Sequence, residues 1–259
     1  MLLRHPYHLV DPSPWPLLMG SSGLIFALGL VCWFTGTNSS VVLLGLVSIL
    51  LVLMGWWRDV LREANGGYHT KYVQKGLTIG MLLFLISEIM LFFSLFWAYF
   101  HSSLSPSIEL GGQWPPIAVR AIDPWGIPLL GSIVLLSSGF TVTLAHHAIR
   151  SGDKDLTVVG LFFTVLLGLF FVSLQANEYY YGEYTMSDSV FGSVFYMTTG
   201  LHGIHVMIGV IFLAICFVRL VRDLFTSEHH LGFEFAIFYW HLVDLVWFFV
   251  FTCYYWWGS

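Results

Sequence analysis

The sequence is poor in charge. Only 10% of its 259 residues are Asp, Glu, Lys or Arg, against 57% hydrophobic and 18% aromatic. A soluble domain carries about 25% charged residues, so a water-facing globule is excluded, and the mean hydropathy of +0.79 agrees. Bases are the minority sign, 10 Lys plus Arg against 15 Asp plus Glu, which leaves no electrostatic footprint for a nucleic-acid partner. Cysteine is scarce: Cys32, Cys216 and Cys253 lie singly in apolar runs without a C-x-x-C spacing, which argues against both a disulfide framework and a thiolate metal site. Proline is missing from the interior of every long apolar run, and with it any signal for the broken helices that build transporter sites. Lysine is missing from the same interiors, so no Schiff-base lysine of a retinal protein is at hand.

What is present is a series of seven apolar segments, at about 15–34, 41–57, 76–101, 125–147, 156–177, 191–219 and 231–257. A bilayer core of ~30 Å needs roughly 20 helical residues, so an all-α polytopic bundle of seven transmembrane helices is predicted, forming one membrane domain. Prolines cluster at segment ends, among them Pro6, Pro12, Pro14 and Pro16 before the first span and Pro106, Pro115, Pro116 and Pro124 before the fourth. The opening MLLRHPYHLVDPSPWP has no basic stretch followed by a short apolar core. It is expected to be a retained tail at the membrane surface rather than a secretory signal.

Nine of the ten basic residues fall in alternate connecting segments that share one side: Arg4; Arg58, Arg62, Lys71 and Lys75; Arg150 and Lys154; Arg219 and Arg222. Only Arg120 lies on the other. The positive-inside rule then predicts an inside N-terminus and an outside C-terminus. The outer connections are acidic and aromatic, with Glu109, Asp123, Glu178, Glu183 and Asp188, and Trp56, Trp57, Trp114, Trp125, Trp256 and Trp257 stand where interfacial belt residues do.

Ionisable residues inside spans separate packing from function, because a carboxylate at mid-bilayer costs about 2.5–3.5 kcal/mol even on insertion scales. Glu88 lies halfway along the third span with no base in its helix. Desolvation favours its neutral form unless a partner comes from elsewhere, and it reads either as a proton-exchanging or lipid-contacting acid or as a neutral group bonded between helices. On the sixth span Thr198, His202, His205 and Gly209 share one helical face, and on the seventh Glu234, His241 and Asp244 share another. These imidazole and carboxylate faces are expected to meet as a polar seam, in preference to a metal or haem site. The pairs His146 with His147 and His229 with His230 sit at inner helix ends, where solvation is the simpler account. Gly76, Gly80, Ser87, Ser94 and Ala98 form a small-residue stripe on span three, expected to admit a close helix neighbour. The segment WWRDVLREANGGYHTKYVQKG places Trp57, Arg58, Arg62, His69, Lys71 and Lys75 beside an apolar wall, where a lipid phosphate can dock or where the bases simply enforce orientation.

In these residues the chain resembles the subunit 3 family of cytochrome c oxidase. The matching stretches run in order along nearly the whole chain: HPYHLVDPSPWP, WWRDVLREA, HTKYVQKG, ISEIMLFFSLFWAYFHSSLSPSIELGGQWPP, LAHHAIRSGD, LQANEYY, TGLHGIHVMIG and the terminal TSEHHLGFEFAIFYWHLVDLVWFFVFTCYYWWGS. The resemblance implies helices 1–2 and 3–7 in two groups around a cleft that holds phospholipids. It implies no catalytic residue, metal or cofactor in this chain, with haem and copper in partner subunits 1 and 2, and accessory subunits beyond them. It also implies that the family's carbodiimide-reactive glutamate is Glu88, that lipid contacts fall on Trp57, Arg62 and His69, and that the His202, His205, His241 and Asp244 seam is cofactor-free. The role implied is to stabilise an oxidase that passes electrons from cytochrome c to dioxygen and pumps protons, and to support its proton uptake. A multi-pass place in the mitochondrial inner membrane follows, or in the plasma membrane for a bacterial source. The competing reading is a free-standing proton-coupled transporter with Glu88, His205 and Asp244 as its relay; the odd span number without an inverted repeat weighs against it.

Overall fold

A computed structural model describes residues 5–117 and 119–258; Arg4, counted above among the bases of the N-terminal side, lies outside them. Seven helices are long and apolar enough to cross a membrane, and no strand occurs among the described residues. They are α1 (Trp15–Phe34), α2 (Ser40–Asn65), α3 (Lys71–Ser103), α4 (Ile127–Ser151), α5 (Lys154–Tyr181), α6 (Val190–Val221) and α7 (Leu231–Val250), the last running on into a π-helical segment, Phe251–Trp256.

The helix ends follow local chemistry. Pro16 stands in the first turn of α1 and Pro128 in that of α4, where no intrahelical donor is lost. Gly152, at φ 81°, stops α4 in the left-handed region, and the Asp153 side chain at once caps α5 by accepting from the Leu156 amide at 3.0 Å. Two helices thereby turn back on each other in two residues. Where the segment after span two reads as a loop in sequence, α2 instead continues through Arg58 and Arg62 to Asn65, and α3 starts at Lys71. Charged residues extend a helix beyond the hydrocarbon as readily as apolar ones extend it within, so hydropathy marks the span and not the helix.

The chain divides into two compact units, residues 1–79 and 80–259. In the first, α1 and α2 pack as a hairpin that draws close at Gly29 and Gly45: a Cβ on Gly29 would lie 2.6 Å from the Val42 backbone nitrogen. One polar clasp joins their ends, the Trp15 indole N–H donating to Asp59 Oδ2 at 2.8 Å.

The second unit holds the core, with its largest buried side chains on α4 to α7 and on α3 at Leu85, Phe92 and Tyr99, seven residues apart on one face. Trp240 is fully buried, and Gly168 and Gly209 make room for it: a Cβ on either would come within 2.8 Å of its ring. Its indole N–H donates to Ser138 Oγ at 2.9 Å, and one level along, Trp247 donates to Ser132 Oγ at the same distance. An aromatic ring brings large apolar area, and its polar tip must still find a partner away from water. The α4 serines supply one.

Burial is uneven. Helices α1 to α3 bury 6% to 11% of their most apolar windows within the chain, α4 to α7 33% to 50%. The small-residue stripe of α3 does not receive a helix here, since Gly76 and Gly80 have nothing within 4 Å of where a Cβ would stand. Small size permits close approach without supplying the partner.

Trp240→Ala is expected to destabilise the second unit by about 3–5 kcal/mol through the cavity left behind, and Ser138→Ala by about 1–3 kcal/mol through an orphaned indole N–H. Thermal unfolding in mild detergent checks both; equal midpoints for the two variants would contradict this ordering.

Candidate functional site

The acid that lacked a partner in its own helix finds one on another. Glu88 stands three residues beyond Leu85 and four before Phe92, on the buried face of α3. Its Oε2 lies 2.7 Å from His205 Nε2 on α6. The opposite ring nitrogen of His205 is 2.7 Å from the Leu201 carbonyl. A carbonyl only accepts, so Nδ1 carries a proton and Nε2 is the atom turned to the acid. Phe92 meets the imidazole edge-on at 5.1 Å and Tyr239 stacks on it at 6.3 Å, which fixes the ring between apolar faces. Nε2 and the carboxyl thus meet at hydrogen-bonding distance, with Nδ1 already committed to Leu201.

The seam expected between α6 and α7 takes another form. His205 pairs with α3 rather than with the carboxylates of α7. His202, fully buried, donates from Nε2 to the Val243 carbonyl at 3.2 Å and packs against Phe171 and Trp247. His241 and Asp244 stay together on α7, Nδ1 to Oδ2 at 3.8 Å, while His241 Nε2 lies 3.4 Å from Thr143 Oγ1 on α4. Gly139 on α4 lets Asp244 approach: a Cβ there would stand 2.8 Å from Oδ2. A shared helical face was readable from spacing, but which neighbour each face meets depends on how the helices rotate in the bundle.

At the far end of α2, Asp59 organises the bases. Arg58 Nη2 lies 3.1 Å from its Oδ1 and Arg62 Nη1 3.9 Å, while Trp15 holds the other oxygen. The Arg62 side chain remains 71% exposed, and Trp57, next to Arg58 in sequence, is exposed as well. His69 lies with His8, ring centroids 5.7 Å away, and with Glu63.

Four residues sit differently from their sequence expectation. Glu178, read as an outer-loop acid, lies on α5, buried, and accepts the Tyr255 hydroxyl at 2.5 Å. Its spacing of three from Gln175, also buried, is the signal that an inward polar pair was present. Trp114 is no belt residue: its indole N–H points to the Tyr99 hydroxyl at 3.4 Å inside an aromatic cluster with Phe191. Nearby in the α5–α6 connection, burial pushes the Tyr184 phenol well above its ordinary range. Of the histidine pairs, His147 and His229 are exposed as solvation requires, whereas His230 is buried and His146 half-buried.

With this geometry in place, comparison with known proteins is direct. The family model described as cytochrome c oxidase subunit III matches residues 5–259. The cytochrome c oxidase subunit 3 of the lancelet Branchiostoma lanceolatum is 52% identical over 256 residues, 98% of each chain. That of the sea star Pisaster ochraceus is 52% identical over 260 residues and the full length of both, and that of the carp Cyprinus carpio is 51% identical over 256 residues, again 98% of each. This chain belongs to the cytochrome c oxidase subunit III family and is a multi-pass, non-catalytic membrane subunit of the oxidase.

Proposed function

We propose that this chain serves its oxidase in two ways: it carries a proton-sharing carboxyl–imidazole pair within the membrane, and it retains phospholipid at the basic end of α2. The observation that carries the first is the 2.7 Å bond between Glu88 and His205. The Leu201 carbonyl holds Nδ1, so Nε2 stays turned to the carboxyl with which it shares a proton. That is what a group that accepts and passes protons beside a pumping enzyme requires. A relay through His205 to Asp244, as a free-standing transporter would need, finds no support in the bonding: His205 turns to Glu88, and Asp244 keeps to His241.

For the lipid, the support is the exposed Arg62 guanidinium, held loosely at 3.9 Å from Asp59, and the exposed Trp57 on the same helix. A forked donor set next to an apolar wall matches a phosphate with acyl chains behind it. Arg58, tied more closely to Asp59, orients that carboxylate, and His69 completes the polar end. Partner subunits 1 and 2 supply the haem and copper and accessory subunits enclose them, with the inner mitochondrial membrane as the setting. The matches to lancelet, sea star and carp proteins support an animal-type oxidase.

Glu88→Gln is expected to leave the complex assembled while abolishing carbodiimide labelling of this subunit, as followed by mass spectrometry of the purified oxidase. Full labelling of the variant would remove Glu88 from this role. Arg62→Ala is expected to lower the phosphorus content of the detergent-purified complex; unchanged lipid would mean that the base serves orientation alone.

A further inference from the structure

Among the described residues of the second unit three imidazole nitrogens are buried without a hydrogen-bond partner, on His146, His202 and His230, and two of them, those of His146 and His230, face the same small volume. His230 caps the start of α7 and is 6% exposed. Its Nδ1 N–H donates to the Thr226 carbonyl at 3.0 Å, and its Nε2 makes no hydrogen bond. His146, on the last turns of α4, likewise has a buried and unpartnered Nε2, and the two rings meet edge to face at 6.2 Å. Glu234, one helical turn beyond His230, places Oε1 at 3.5 Å from His230 Nε2, past the reach of a good hydrogen bond. One donor atom from each of the three residues lies within 4.8 Å of the other two.

A buried imidazole nitrogen with no hydrogen-bond partner is costly, and two of them beside a carboxylate call for a further group between them, such as an ion. We propose that His146, His230 and Glu234 bind a first-row divalent cation of the zinc class, joining the end of α4 to the start of α7. Two imidazoles and a carboxylate are the ligand types such ions take, and three protein ligands leave a fourth position for water. Bonds of about 2.0–2.1 Å in a tetrahedron put neighbouring donor atoms roughly 3.3 Å apart. The His230–Glu234 separation of 3.5 Å already has that value, and His146 closes the remaining gap by turning its ring on a helix end. The Thr226 carbonyl behaves as the outer partner of a metal-bound imidazole, fixing the tautomer that turns Nε2 inward. Glu234 is 35% exposed, which gives an ion from the aqueous side a way in. The role is that of a clip between two helices and involves no electron transfer.

The test uses the intact purified oxidase, stripped with a chelator and then equilibrated with zinc alone. Anomalous scattering at the zinc edge is expected to show a peak between the three side chains, and elemental analysis is expected to find about one zinc fewer per complex in His146→Ala and in Glu234→Gln, with haem content unchanged. No peak at saturating zinc, or an unaltered zinc count in both variants, would overturn the proposal. If His146→Ala fails to assemble, the wild-type scattering experiment and Glu234→Gln decide the matter by themselves.

Discussion

A polar group within hydrocarbon has no water to fall back on, so each must be satisfied by the chain itself. The second unit is organised by that constraint. Trp240 and Trp247 are taken up by Ser138 and Ser132, His202 by the backbone of α7, Glu88 by His205, Glu178 by Tyr255. None of these bonds stays within one helix. They set the rotation of each helix about its axis, which apolar packing alone, the same in every direction against lipid, specifies weakly. Glycine at 139, 168 and 209 then lets the partners come near enough to bond.

The same constraint distinguishes the two kinds of ionisable site. Where acid and imidazole meet at bonding distance, as Glu88 and His205 do, each supplies the other's hydrogen-bond partner. Where donor atoms converge but stop short of bonding, as at His146, His230 and Glu234, the arrangement is incomplete without a further group. One geometry suits proton exchange, the other suits ligand binding, although the residue types are the same.

The first unit solves a different problem. Its hairpin of α1 and α2 buries little of its own apolar surface, and Arg58 and Arg62 gather around Asp59 near the end of α2. That carboxylate ties Trp15 of α1 to the bases of α2 and leaves Arg62 turned outward. A surface so apolar along its length and so basic at its tip suits lipid, with acyl chains beside the helices and phosphate at the end.

How much of this was readable without coordinates depends on the range over which each interaction acts. The seven spans, their α1 boundary to the residue, the place of Glu88 midway along the third span, and the membership of His202, His205, His241 and Asp244 in polar faces all follow from hydropathy and helical periodicity, which are local. Family membership was likewise legible, because long ordered motifs such as ISEIMLFF and TGLHGIHVMIG occur in series. The partners were not. That Glu88 meets His205 rather than remaining alone, that Asp244 stays with His241, that Glu178 is buried and Trp114 packed inside, and that His146 and His230 share a volume are decided by helix rotation and by which helices become neighbours. Those are properties of the assembled bundle, since residues more than a hundred positions apart meet only when the spans between them have packed.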